Sequence, residues 1–132
     1  MNANDQGLIL HYNGSGWEET IRPEMGVHLK AVWGVGSDNV YVVGDPGVIA
    51  HWDGMRWTDE PKLITTALHE IWGTSSENIY AVAVRGHILR FDGTQWSEMS
   101  SPTGHDLFGI WGSAPDDAWV VGNTGVILHG TP

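Results

Sequence analysis

The stretch Gly47-Val48-Ile49-Ala50-His51-Trp52-Asp53-Gly54 returns 39 residues later as Gly86-His87-Ile88-Leu89-Arg90-Phe91-Asp92-Gly93. It is preceded by Gly7-Leu8-Ile9-Leu10-His11-Tyr12-Asn13-Gly14 and followed by Gly125-Val126-Ile127-Leu128-His129. The leading glycines are spaced by 40, 39 and 39 residues, and Trp33-Gly34, Trp72-Gly73 and Trp111-Gly112 keep the 39-residue step. A fixed period of this length, built from short apolar runs, marks a stacked or radial repeat.

Each repeat reads as four strands. Residues 29–34 form a short apolar run ended by glycine (strand a), Ser37-Asp38-Asn39 are turn formers, and 40–43 is β-branched and aromatic (strand b). Asp45-Pro46-Gly47 turns the chain into 48–52 (strand c), Asp53-Gly54 predicts a type I′ hairpin, and Arg56-Trp57-Thr58 begins strand d. Strands a and b are apolar at consecutive positions, which predicts burial of both sheet faces. No stretch keeps a helical period. The chain is therefore expected to be all-β, a β-propeller of four-stranded blades with about three blades per chain. It forms a single repeat domain over 1–132, with repeats 7–46, 47–85 and 86–124 and a partial copy at 125–132.

Three blades do not surround an axis. The third blade (107–129) lacks strand d, while 16–20 reads as a strand d with no a or b before it. The expected assembly is a homo-oligomer, with a dimer of six blades favoured over a trimer of nine. Each chain would donate its N-terminal strand to the other's last blade. Residues 7–12 and 125–129 both read as strand c, so one copy per junction is surplus.

Sixteen acidic against six basic residues give a net charge of −10, which disfavours nucleic acid and anionic membranes as partners. No apolar run is long enough to span a bilayer, so no membrane insertion is expected. The chain has no cysteine, hence no disulfide and no thiolate metal site. His11, His51 and His129 share one repeat position with Arg90, a blade apart and too far to share one zinc ion, and are read as half-exposed strand residues. His69-Glu70 takes the place of Lys30-Ala31 and Phe108-Gly109 on strand a, where symmetric copies could hold an ion on the axis. No cofactor or metal is expected.

Gly47, Gly86 and Gly125 follow the b–c turn, where a left-handed backbone costs glycine nothing. Trp17, Trp57 and Trp96 should close over their hairpins and pack on the next blade. Trp33, Trp72 and Trp111, each followed by glycine, read first as packing between blades. Their alternative role is a repeated ligand platform with the turn residues Asp38, Glu77 and Asp116, an aromatic face beside carboxylates that bind sugar hydroxyls. These six are the candidate ligand-binding residues.

The stretches His51-Trp52-Asp53-Gly54-Met55-Arg56-Trp57 and Arg90-Phe91-Asp92-Gly93-Thr94-Gln95-Trp96 resemble the Asp-box hairpin of neuraminidase-repeat propellers. With Ile110-Trp111-Gly112-Ser113-Ala114-Pro115-Asp116-Asp117-Ala118-Trp119-Val120-Val121-Gly122, the chain is similar to tandem repeats of large bacterial surface proteins. Trp52-Asp53 also resembles the dipeptide of WD-repeat propellers, without their Gly-His partner signature. The first resemblance implies a propeller used for binding or scaffolding, and an extracellular or cell-surface location. A sialidase would need an arginine cluster, and Arg22, Arg56, Arg85 and Arg90 are scattered over different repeat positions.

The function expected from these readings is a non-catalytic binding module, a multivalent carbohydrate-binding (lectin-like) propeller taking a glycan. A protein-interaction scaffold with a protein ligand is the alternative, and a glycosidase fragment comes third.

Overall fold

The computed structural model of the chain describes residues 6–25 and 27–130. Residues 1–5, Gly26 in the connection expected over 22–28, and the last two residues of the partial copy 125–132 lie outside them. Thirteen strands follow in order: β1 (Gln6–Tyr12), β2 (Trp17–Met25), β3 (His28–Gly36), β4 (Asn39–Asp45), β5 (Val48–Trp52), β6 (Trp57–Asp59), β7 (Leu68–Ser75), β8 (Asn78–Ala83), β9 (Ile88–Phe91), β10 (Trp96–Met99), β11 (Leu107–Ala114), β12 (Asp117–Gly122) and β13 (Ile127–Gly130). They form a two-stranded hairpin β1-β2, two complete sheets β3-β4-β5-β6 and β7-β8-β9-β10, and a three-stranded sheet β11-β12-β13. Each sheet is an antiparallel meander, a blade of the expected β-propeller.

Blades stack face to face. Tyr41, Val43 and Ile49 of the first full blade pack on Ile71, Ile79 and Leu89 of the second. Beyond it, Val82 packs with Leu107 and Val120 of the last sheet. The Trp-Gly step is part of this stacking. A Cβ on Gly73 would lie 2.9 Å from the Trp33 ring, and one on Gly112 would lie 2.4 Å from the Trp72 ring, so each glycine admits the tryptophan of the preceding blade.

The b–c turns match expectation at Gly47, Gly86 and Gly125, whose φ values are 62°, 78° and 77°. Arg85 and Thr124, just before two of these glycines, are themselves left-handed. The amide of Arg85 donates to Asp106 Oδ1 at 2.8 Å, which ties that turn to the following d–a connection.

Three expectations need correction. The c–d turn is a four-residue loop rather than a two-residue type I′ turn. Trp52 pairs with Trp57, and the Asp53 amide donates to the Arg56 carbonyl at 3.3 Å. Asp53 Oδ1 accepts from the amides of Met55 and Arg56, and this side-chain cap makes the longer loop stable. Asp92 does the same for Thr94 and Gln95, and Asn13 for Ser15 and Gly16. Second, Trp96 packs on Tyr41 of the preceding blade, not the next one. Third, the strand at 16–20 is not a lone donor. As part of β2 it extends to Met25, through much of the expected connection, and pairs with β1 of its own chain.

Candidate interaction surface

The meander places the a–b and c–d turns at one end of every blade. A Cβ on Gly54 would meet Asp38 Cβ at 2.9 Å, and one on Gly93 would meet Glu77 Cγ at 2.9 Å, so the two turns of a blade touch. Asp38, Glu77 and Asp116 are exposed there beside Asp53 and Asp92. Backbone amides hold the Asp53 and Asp92 carboxyls below the usual carboxylate range, so both stay ionised to low pH. The result is an acidic rim.

Just inside the rim, each blade repeats a trio that the residue pattern hid. Tyr41 faces His51 across β4 and β5 and stacks on it at 4.4 Å, with His51 Nε2 2.6 Å from Asn39 Oδ1. In the next blade Arg90 lies 5.8 Å from the Tyr80 ring centroid, and its Nε donates to Asn78 Oδ1 at 3.2 Å. In the last sheet His129 stacks on Trp119 at 4.1 Å and its Nε2 lies 2.5 Å from Asp117 Oδ1. Hydrogen bonds from Ser113 and then from His129 lower the Asp117 pKa. Burial, then the Glu60 carboxylate, push the Tyr41 phenol up to about 12. The 39-residue recurrence of His51, Arg90 and His129 was visible in the sequence; their partners on strand b required the register between b and c.

The six candidate residues do not form one repeated pocket. Trp33 and Trp72 lie against the glycines of the following blades, Asp38 and Glu77 lie over the c–d turns of their own, and only Trp111, 62% exposed, presents its ring openly among the three tryptophans. His69 is the extra residue of a bulge on β7, as Lys30 is on β3 and Phe108 on β11. Its ring sits 4.9 Å from Phe108, and burial, then Lys30, lower its pKa against the opposite pull of Asp106 and Asp45. Among the described residues no group of three His, Asp or Glu side chains is arranged to hold a metal, and no helix is long and apolar enough to cross a membrane.

Two clefts remain, and none of the six lines either. One, of about 210 Å³, lies between the second full blade and the last sheet and is lined by Tyr80, Ile88, Ile110, Val120, Leu128 and Gly130, among others. The other lies between the β1-β2 hairpin and the first full blade and is lined by Ile9, Leu10, Val32, Val40 and Trp57, among others.

No family model matches the chain, and no curated protein does. Solved structures that resemble it include YCF48 from Cyanidioschyzon merolae, 15% identical with a TM-score of 0.77, over 98% of this chain and 46% of that one. Another is YCF48 bound to D1 peptide, 13% identical with a TM-score of 0.78, over 98% of this chain and 45% of that one. The chain thus spans less than half the length of either. The likeness establishes the β-propeller fold. Neither the Asp-box family nor the bacterial surface proteins find support in these comparisons.

Proposed function

We propose that the chain is a non-catalytic protein-interaction module whose acidic rim docks a basic segment of a partner protein, and whose copies associate through their open blade edges. The observation that carries this reading is the structure of YCF48 bound to D1 peptide, a propeller of the same fold holding a segment of polypeptide. Charge supplies the chemistry of the partner: sixteen acidic residues against six basic ones, with exposed carboxylates gathered at one end of the blades, favour a cationic surface. The lectin reading loses its main support, because two of its three aromatic platforms are used between blades.

A peptide array tests it. Extended lysine- and arginine-rich peptides should bind saturably, more weakly as salt rises, and charge-reversed peptides should not. The triple variant Asp38→Lys, Glu77→Lys, Asp116→Lys should lose this binding at unchanged Tm. Equal binding by the variant overturns the rim as the site, and a glycan that competes for it would revive the carbohydrate reading.

A further inference from the structure

The cleft beside the last sheet has a filled counterpart one repeat earlier. Between the two full blades, Phe91 and Trp96, with centroids 5.5 Å apart and planes tilted by 41°, close over Tyr41. One repeat on, Tyr80 occupies the position of Tyr41, Gly130 that of Phe91, and the cleft stays open. The missing aromatic pair exists at the other end of the chain. Tyr12 and Trp17 close the β1-β2 hairpin at 5.4 Å and 51°, in the same repeat positions as Phe91 and Trp96. They are 54% and 70% exposed, whereas Trp96 is 7% exposed. The strand leading to Tyr12 reads Gly7-Leu8-Ile9-Leu10-His11, and the one leading to Gly130 reads Gly125-Val126-Ile127-Leu128-His129. The two differ only by Leu8 against Val126.

We infer that two copies of the chain exchange this hairpin. β1 of one copy takes the place of β13 beside β12 of the other, β2 becomes the fourth strand, and Tyr12 and Trp17 fill the cleft over Tyr80. The inference rests on the self-association proposed above and names its occupant, a second copy. Simple addition to the edge of β13 fails on direction. Equivalent strands of successive repeats run the same way, so β1 beside β13 would be a parallel pair, while every pair among the described residues is antiparallel. Replacement keeps the antiparallel ladder and sets His11 opposite Trp119, where His129 now stands. Done reciprocally, it completes the last blade of each copy, disposes of the surplus strand c, and closes a two-fold ring of six blades.

The chain has no cysteine, so an introduced pair is diagnostic. Leu10 faces Glu19 and Val120 faces Leu128 within one copy, whereas exchange sets Leu10 opposite Val120, at the spacing a disulfide needs. Oxidising the variant Leu10→Cys, Val120→Cys should give a disulfide-linked dimer of twice 14.4 kDa on a non-reducing gel. In the otherwise native chain, Trp17→Ala should raise the dimer Kd at least roughly tenfold. Gly130→Phe, which fills the cleft from β13 itself and meets no atom within 4 Å at its Cβ, should do the same. A dimer by light scattering that gives no cross-link overturns the exchange and leaves self-association standing. A mass of 14.4 kDa at every concentration overturns both.

Discussion

Strand β8 is buried at all six positions, whereas β12, the same strand one repeat later, buries only Val120. Their sequences, Asn78-Ile79-Tyr80-Ala81-Val82-Ala83 and Asp117-Ala118-Trp119-Val120-Val121-Gly122, follow one apolar grammar. The difference lies in the neighbours. The second full blade has a sheet on each face, and the last sheet has one only. Burial in a repeat fold is conferred by the adjoining repeat, so equal residues carry unequal weight along the chain.

The sharpest way to break this comparison is at strand d. Trp96 is almost wholly enclosed, and Trp96→Ala should cost about 3–5 kcal/mol in denaturant unfolding. Trp17→Ala, at the equivalent exposed position, should stay within about 0.5 kcal/mol for dilute protein. Equal losses would show that the repeat itself, not the neighbour, sets the value of the residue.

The b–c turns offer a smaller contrast. A Cβ on Gly86 would lie 2.0 Å from the carbonyl oxygen of Thr103, while one on Gly125 meets nothing within 4 Å. Both share the left-handed penalty of about 1–2 kcal/mol. Gly86→Ala should add the clash, a further ~1–3 kcal/mol, and so lower Tm clearly more than Gly125→Ala. Matching Tm shifts would mean that the Thr103 connection yields without cost.

Much of this was legible in advance. The 39-residue step gave the strand order and the blade because glycine, turn and tryptophan positions recur whatever the register. The left-handed glycines followed from the turn composition. The c–d loop length was not readable, since Asp53-Gly54 suits a two-residue turn as well as the observed four-residue loop, and only the Asp53 carboxylate bonding two amides decides between them. That length sets which residues of strands c and d oppose each other. The bulges at Lys30, His69 and Phe108 leave no mark in an apolar pattern, because an extra residue shifts pairing without changing composition. Nor could the exposure of Trp111 be told from the packing of Trp72, for the two stretches differ only in what lies beyond them.

The smallest effect separates the first hairpin from the other two. Asp53 and Asp92 have folded pKa values below those of the unfolded chain, so their contribution is present above about pH 4 and is lost as pH falls through the lowered values. Asn13 makes the equivalent bonds without titrating. The variant Asp53→Asn, Asp92→Asn should therefore fold and show a shallower decline of its urea midpoint on acidification. An unchanged decline would assign the acid sensitivity to other carboxylates.

The open outer edge of β13 has a consequence for the physical state of the protein in solution. A strand edge with no neighbour is a template for any strand of the right pattern, and this chain carries that pattern four times. A head-to-tail contact turned by the wrong angle does not close; it repeats into a fibre. The net charge of −10 on every copy opposes that outcome, because growing fibres concentrate like charge faster than small rings do. Salt thins this repulsion over a Debye length of about 8 Å at physiological ionic strength. Concentrated protein at high ionic strength should accordingly turn turbid and polydisperse, with charge acting as the gatekeeper that sequence repetition makes necessary.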